Sequence, residues 1–253
     1  MKHLLALIAL AAASLGGLQA TVFLQDNFPT DGSLVGTTPA VGGIWTILSG
    51  TADTLVVSGN KLQIQDANTE DAKSDFPALQ TADLFVGFTL NMSAANLPST
   101  TVEYFSSFRS TTGYDGRILA VRPAGTAAGK FRLGISNTTE ASVNWASDLD
   151  PGVDYRVVVK FTQNGVNDFV TLWVGPASEA STSVSTAAAA INTGLSGFAF
   201  RQAAATGDMA VDHLVVGTTF AEAVVPEPST RVLLGTGAIV LLWGRRCARR
   251  IKC

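Results

Sequence analysis

Side chains that could hydrolyse a glycosidic bond are scarce in this chain of 253 residues. The retaining form of that reaction uses two carboxyl groups about 5–5.5 Å apart, and alternation along one strand can place two acids on the same face. Glu103 and Glu140 have no second carboxylate at such a spacing. Paired catalytic carboxylates are therefore not predicted, and the chain is interpreted as noncatalytic.

His213 is the only histidine after the first twenty residues, so any Ser-His-Asp arrangement would have to use it. The acid beside it is Asp212, but adjacent residues of a strand point to opposite faces. His213 is therefore interpreted as a half-exposed strand residue. The sequence has no Gly-rich phosphate loop between a strand and a helix and no His/Cys metal cluster.

Trp145 is the tryptophan best suited to stack on a sugar ring, because Asn144, Ser147 and Asp148 around it are polar. Trp173, in contrast, lies in an apolar strand and is expected in the core. The alternative for Trp145 is packing, which a sandwich usually requires of its tryptophans.

Short strands are the elements that would position these residues. Apolar residues occupy the odd positions of 155–161 and alternate in the same way along 130–135, and Gly59-Asn60 is a two-residue hairpin signal. No stretch has a convincing helical period, and 176–192 is expected to be a polar surface loop. The pattern predicts an antiparallel β-sandwich or jelly roll. The candidate strands are 21–27, 44–48, 54–58, 61–65, 83–92, 102–109, 117–121, 130–136, 154–162, 168–175, 197–202 and 209–217.

Charge is distributed unevenly along the chain. Residues 21–225 contain ten basic and nineteen acidic side chains, a net charge of −9, whereas 226–253 carry +5. An acidic body argues against nucleic-acid binding. The only cysteines are Cys247 and Cys253, so the body has no disulfide and depends on its core for stability.

The two ends are typical of an exported protein. Residues 1–20 combine Lys2 with an apolar run and small residues, which predicts a signal peptide. Residues 232–243 are mostly apolar and precede a basic cluster, which predicts a short membrane helix at about 231–244 with the tail inside. The basic stop consists of Arg245, Arg246, Arg249 and Arg250.

Pro226, Glu227 and Pro228, followed by the short apolar stretch and the arginine cluster, resemble a PEP-CTERM sorting signal. The resemblance implies recognition by an inner-membrane exosortase, transient residence in that membrane, and a mature form at the cell surface or in the extracellular matrix. The predicted organisation is a signal peptide at 1–20, a sandwich at 21–220, a linker at 221–225 and the sorting signal at 226–253.

The body resembles the concanavalin-like, laminin-G-type sandwich through Asp26-Asn27-Phe28 and Gly42-Gly43-Ile44-Trp45, and through its closing segment 211–220. That resemblance implies that the last strand pairs with the first. It also makes Asp26 and Asp212 candidate ligands of a structural Ca²⁺ ion, with no other cofactor expected. The predicted function is a noncatalytic surface or matrix protein that binds exopolysaccharide; the alternative is a divergent glycan-active enzyme of jelly-roll fold.

Overall fold

The computed structural model describes residues 20–111, 113–137, 142–165, 167–189 and 194–224. Sixteen β-strands and one α-helix lie within these ranges. The helix, α1, is Phe220–Val224. The strands are β1 (Val22–Asp26), β2 (Gly32–Ser33), β3 (Thr46–Ser49), β4 (Val56–Ser58), β5 (Lys61–Ile64), β6 (Asp71–Gln80), β7 (Leu84–Met92), β8 (Tyr104–Ser110), β9 (Tyr114–Val121), β10 (Arg132–Ser136), β11 (Val143–Asn144), β12 (Asp154–Thr162), β13 (Phe169–Val174), β14 (Val184–Ser185), β15 (Leu195–Arg201) and β16 (Met209–Gly217).

The strands form two antiparallel sheets, which confirms the predicted all-β sandwich. Sheet A has nine strands in the order β14-β13-β12-β7-β16-β5-β4-β2, with β1 also paired to β16. Sheet B has seven strands in the order β11-β10-β9-β8-β15-β6-β3. The pairing of β1 with β16, in which Asp26 lies opposite Leu214, is the one expected between first and last strands.

The main core lies between the sheets and follows the alternation that the sequence shows. Val157, Val159 and Phe161 of β12 point into it, and each is at most 1% exposed. The hairpin between β4 and β5 turns at Gly59 and Asn60, whose φ values of +61° and +59° are those of a type I′ turn.

Strand β6 was not predicted from the sequence, although it is ten residues long. Its core-facing positions include Ala72 and Ser74 as well as Phe76, and Pro77 interrupts it. Apart from Phe76, these residue types carry little β propensity. The strand is held by its neighbours instead, because β15 pairs along it on one side and β3 on the other.

Helix α1 differs from the linker expected at 221–225. It begins at a capping box, in which Thr219 N and Oγ1 donate to Glu222 Oε2 at 3.1 and 3.0 Å. Phe220 and Ala223 are buried against the outer face of sheet A, together with Trp173. The boundary predicted at residue 220 thus falls inside a packed helix.

Within the described part of the chain, no helix has the length and apolarity needed to cross a membrane. Residues 1–19 and 225–253 lie outside it. The same is true of the predicted membrane helix and of the sorting and stop residues Pro226, Glu227, Pro228, Arg245, Arg246, Arg249 and Arg250.

Candidate functional site

The outer face of sheet B, the side turned away from the core, carries a cluster of arginine and tyrosine side chains. Arg109 of β8 lies opposite Tyr114 of β9, with its guanidinium carbon 4.3 Å from the ring centroid. Arg117 and Arg201 approach the Tyr104 ring at 4.7 and 4.4 Å. Such contacts fix the planes of the guanidinium groups against aromatic surfaces.

Strand β15 provides small residues in the middle of this face. Phe198 and Phe200 point into the core, so Gly197 and Ala199 face outward. Gly197 lies between Asp75 of β6 and Arg109 of β8 in the register. A Cβ at Gly197 would lie 2.6 Å from a backbone oxygen, so a larger residue would disturb the pairing with β6.

A groove of about 350 Å³, here called the sheet B groove, crosses β6, β15 and β8 at this point. Its volume falls within the usual range for small-molecule sites, about 300–1,000 Å³. The side chains around it are both polar and apolar, a mixture suited to a ligand with hydroxyl groups and C–H faces. They include Lys73, Asp75, Leu79, Arg109, Ser110 and Ser196.

Two carboxylates flank Arg201 at one end of the cluster. The guanidinium Nη1 donates to Glu103 Oε2, and its Nε lies 4.0 Å from Asp71 Oδ2. Burial raises the pKa of the Asp71 carboxyl, although a hydrogen bond from Ser49 and the charge of Arg201 oppose the change. The Asp71 side chain is thus more deeply buried than that of Glu103, although both carboxylates lie beside Arg201.

This arrangement was not found from the sequence, because only acids on one strand were considered. Asp71 belongs to β6, Glu103 precedes β8, and Arg201 of the intervening β15 brings them together. Arg109 and Tyr114 were also missed. Gly113 between them is a hairpin signal that could have placed the two side chains opposite each other.

Asp26 has a structural role at the end of β1. Its Oδ1 accepts a hydrogen bond from Phe28 N at 2.8 Å, and its Oδ2 accepts one from Trp45 Nε1 at 2.7 Å. Burial raises the pKa of Asp26, these two bonds lower it, and the charge of Asp212 raises it further. The two parts of the sequence that resembled a laminin-G-type domain are thus joined by one buried carboxylate.

The orientation predicted for Asp212 and His213 is wrong. His213 has φ +50° within a register shift of β16, and this conformation removes the strict alternation of the strand. His213 N donates to Asp212 Oδ1 at 2.7 Å, and Nδ1 lies 3.1 Å from Oδ2. Both side chains therefore lie together, although His213 is half-exposed, as expected.

The candidate calcium ligands Asp26 and Asp212 are near enough for the charge of Asp212 to raise the pKa of Asp26. Their oxygens already accept hydrogen bonds from Phe28, Trp45 and His213. Among the described residues, no three His, Cys, Asp or Glu side chains converge as metal ligands would. The two acids alone do not supply the six to eight oxygens that Ca²⁺ takes.

The three tryptophans of the body lie in different surroundings. Trp45 is fully buried and Trp173 is 3% exposed, packed on Phe220 of α1. Trp145 is half-buried and packs against the main core, and its backbone N donates to Leu133 O. It directly follows β11, which is one edge strand of sheet B, whereas β6 lies next to the other edge strand, β3. The stacking of Trp145 on a glycan stays a prediction.

No protein-family model matches the chain, and no curated protein matches it. Similar solved structures include a Lotus tetragonolobus seed lectin, with 9% identity, a TM-score of 0.44, and coverage of 75% of this chain and 97% of that chain. The Ca²⁺/Man-bound VIP36 lumenal domain has 8% identity and a TM-score of 0.41, with coverage of 73% of this chain and 85% of that chain. A Podospora anserina GH131 β-glucanase catalytic domain has 13% identity and a TM-score of 0.46, with coverage of 78% of this chain and 95% of that chain. Likenesses at this level assign no family and no activity.

The prediction that the chain is not an enzyme is corrected by these comparisons. A glycoside hydrolase catalytic domain is among the sandwiches similar to it. The lack of a carboxylate motif along one strand does not exclude catalysis, because acids from different parts of the sheet can be brought together. The pairing of Asp71 and Glu103 around Arg201 shows why that exclusion was too strong.

Proposed function

We propose that this protein is exported and binds polysaccharide through the sheet B groove. The observation that carries the proposal is the groove itself: Arg109, held over Tyr114, borders a cavity of about 350 Å³ beside the Lys73–Asp75 ion pair and the exposed Leu79. Polar groups of fixed orientation can bind sugar hydroxyls, and apolar side chains can contact the C–H faces of the rings.

A panel of immobilised polysaccharides tests this proposal. The wild-type protein is expected to be retained on at least one of them, and a variant that fills the groove, Ser196→Trp, is expected to lose retention while unfolding at a similar temperature. A Trp at the exposed Asp150, on the loop before β12, is the matched control. Lack of retention on every polysaccharide of the panel would contradict the proposal.

Export and sorting form the second part of the proposal. Residues 1–20 act as the signal peptide, and 226–253 act as a PEP-CTERM-type sorting signal with Pro226, Glu227 and Pro228 as the recognised motif. The partners are an exosortase and, transiently, the inner membrane; the mature form is at the cell surface or in the matrix. The sequence pattern supports this part.

Mass spectrometry of the C-terminus of the protein recovered from its native host tests the sorting proposal. The expected result is a chain that ends near Pro226-Glu227-Pro228. An intact Lys252-Cys253 end would contradict processing while leaving polysaccharide binding untouched.

A second candidate function, cleavage of a glycan, is favoured by one observation, the two carboxylates around Arg201. Burial raises the pKa of Asp71, so this acid keeps its proton to a higher pH than an exposed aspartate, as a general acid requires. Release of reducing sugar that is abolished in both Asp71→Asn and Glu103→Gln would establish the activity. Binding without release would assign the groove to recognition alone.

A further inference from the structure

We infer that the sheet B groove selects anionic polysaccharides, which carry carboxylate or sulfate ester groups, through the Arg109 guanidinium. The inference rests on the proposed polysaccharide binding and adds the chemical class of the ligand. It starts from a cation that forms no ion pair in the described part of the chain.

Arg109 has no acidic partner in the described part of the chain. No carboxylate there lies within ion-pair distance of its guanidinium, and its buried Nε has no hydrogen-bond acceptor. Because Nε is buried, an incoming anionic oxygen would bind where Arg109 lines the groove.

The nearby cations are already paired. Lys73 Nζ donates to both oxygens of Asp75, at 2.8 and 2.6 Å, and Arg201 donates to Glu103. Of these three cations, Arg109 alone is available to a ligand. Arg109 acts on Asp115 through its charge but forms no ion pair with it, so no protein acid holds its guanidinium at the groove.

The Arg109 guanidinium is also held in place. It lies 4.3 Å from the centroid of the Tyr114 ring, and the register sets the two residues opposite each other on neighbouring strands. A planar guanidinium donates two parallel hydrogen bonds to a carboxylate or a sulfate, which a lysine cannot do. Orientation before binding lowers the entropy lost when the complex forms.

The rest of the groove indicates a sugar and not a free anion. Ser196 is half-buried and Thr111 is exposed, and both bring hydroxyl groups to the groove beside the carboxylate of Asp75. Leu79 is 49% exposed at its edge. Hydroxyls and an apolar surface beside one cation match an acidic sugar unit, which is polar around its edge and apolar on its ring faces.

The net charge of the body makes the inference easy to test. Residues 21–225 carry −9, so a polyanion is repelled in general and would adsorb poorly through charge alone. Binding of a polyanion therefore requires a local site. If that site is Arg109, removing a single positive charge elsewhere on sheet B should have little effect.

Two matched pairs of polymers supply the test: alginate with carboxyl-reduced alginate, and dextran sulfate with dextran. The protein is expected to bind at least one anionic member and to bind its neutral counterpart at least about tenfold more weakly, a difference of about 1.4 kcal/mol. Binding to alginate identifies a carboxylate ligand, and binding to dextran sulfate identifies a sulfate ester.

Variants complete the experiment. Arg109→Gln is expected to weaken anionic binding about tenfold or more, Arg109→Lys to lie between it and wild type, and Arg132→Gln, which removes a cation paired to Asp148 on the same sheet, to bind as wild type. Melting temperatures identify any variant that does not fold. If Arg109→Gln does not fold, the affinity of Arg109→Lys for the anionic polymer is compared with that of the wild type instead. Equal affinity for the charged and neutral members, or wild-type binding by Arg109→Gln, overturns the inference but leaves the proposed function; no binding to any polysaccharide overturns both.

Discussion

Glu70 shows how one buried carboxylate can hold a loop in this fold. Its side chain is fully buried, and its two oxygens accept backbone hydrogen bonds from Asp53, Thr54 and Leu55 at 3.2, 2.7 and 2.6 Å. Backbone N–H groups that are buried must be paired. This acid therefore replaces the strand partner that the segment before β4 lacks.

Removing the Glu70 side chain should cost a large part of the stability. We expect Glu70→Ala to lower the free energy of unfolding by about 3 kcal/mol, because three donors lose a charged acceptor, and Glu70→Gln to lose less. Urea unfolding measures both. Glu179→Ala, which removes an acid that is 53% exposed, is the control; equal losses in Glu70→Ala and Glu179→Ala would contradict the role given to Glu70.

The buried carboxyl of Asp115 predicts a pH dependence of folding stability. Its sign is opposite to that of an acid whose charged form stabilises the fold. Burial raises the pKa of Asp115 above 3.8, while a hydrogen bond from Ser110 and the charges of Arg117 and Arg109 lower it. Since the folded form binds the proton more tightly than the unfolded form, this group adds stability as pH falls from its folded pKa towards 3.8 and removes it as pH rises.

We therefore expect Asp115→Asn to be neutral or stabilising at pH 7, by up to about 1 kcal/mol, because its Oδ2 is buried without a partner among the described residues. The gain should shrink as the pH is lowered through the acid range. Thermal unfolding between pH 4 and 8 measures it, with Asp154→Asn, at a 55% exposed acid, as control. A variant that becomes relatively more stable at low pH would refute the assignment.

The calcium prediction for Asp26 and Asp212 is also tested at the scale of single residues. Because both acids already accept hydrogen bonds from the protein, we expect the melting temperature to be the same with and without a chelator. A fall on chelation, reversed by added Ca²⁺ and absent in Asp212→Asn, would instead establish the ion.

At the scale of elements, the docking of α1 depends on Arg156 and Gly87. Arg156 Nε and Nη2 donate to Ala223 O near the end of the helix, and Nη1 donates to His213 O at 2.9 Å. Burial lowers the pKa of Arg156 to about 10, against the charge of Asp212, so the group stays charged at neutral pH. A Cβ at Gly87 would lie 1.8 Å from Ala223 O, so only glycine lets the helix approach.

Arg156→Met should release this helix while keeping the apolar stem of the side chain. We expect a loss of about 2 kcal/mol or more, since two buried carbonyls lose a charged donor, and faster amide exchange at 220–224. Gly87→Ala should give the same exchange pattern by steric displacement. Arg132→Met, in the other sheet, is the control; unchanged exchange at 220–224 in Arg156→Met would show that the helix is held by its apolar contacts alone.

The elements that the sequence predicted are those with strong alternation, such as β12 and β16, whose bounds are as expected. Strand β6 could not be predicted, because its residues gain their conformation from β15 and β3 and not from their own propensity. Helix α1 could have been: Thr219 and Glu222 have the spacing of a capping box. It was missed because five residues are too few to show a helical period.

At the scale of the whole molecule, the candidate site combines strands that are distant in sequence. Asp71, Glu103 and Arg201 meet only because β15 lies between β6 and β8, and no spacing along the chain contains that order. The same holds for Lys73 and Arg109 on the two sides of the sheet B groove. The sequence therefore predicted the class of fold, whereas the extracellular sugar-binding role and Trp145 as a contact residue stay predictions.

Polysaccharide binding by the sheet B groove is the central claim, and the affinity of wild-type protein and of the groove-filling variant Ser196→Trp for one retained polysaccharide, measured by isothermal calorimetry, tests it most directly. The predicted result is saturable binding by the wild type that weakens about tenfold or more in the variant, with melting temperatures that agree. Wild-type affinity in a folded Ser196→Trp variant, or no binding by either protein, would contradict it.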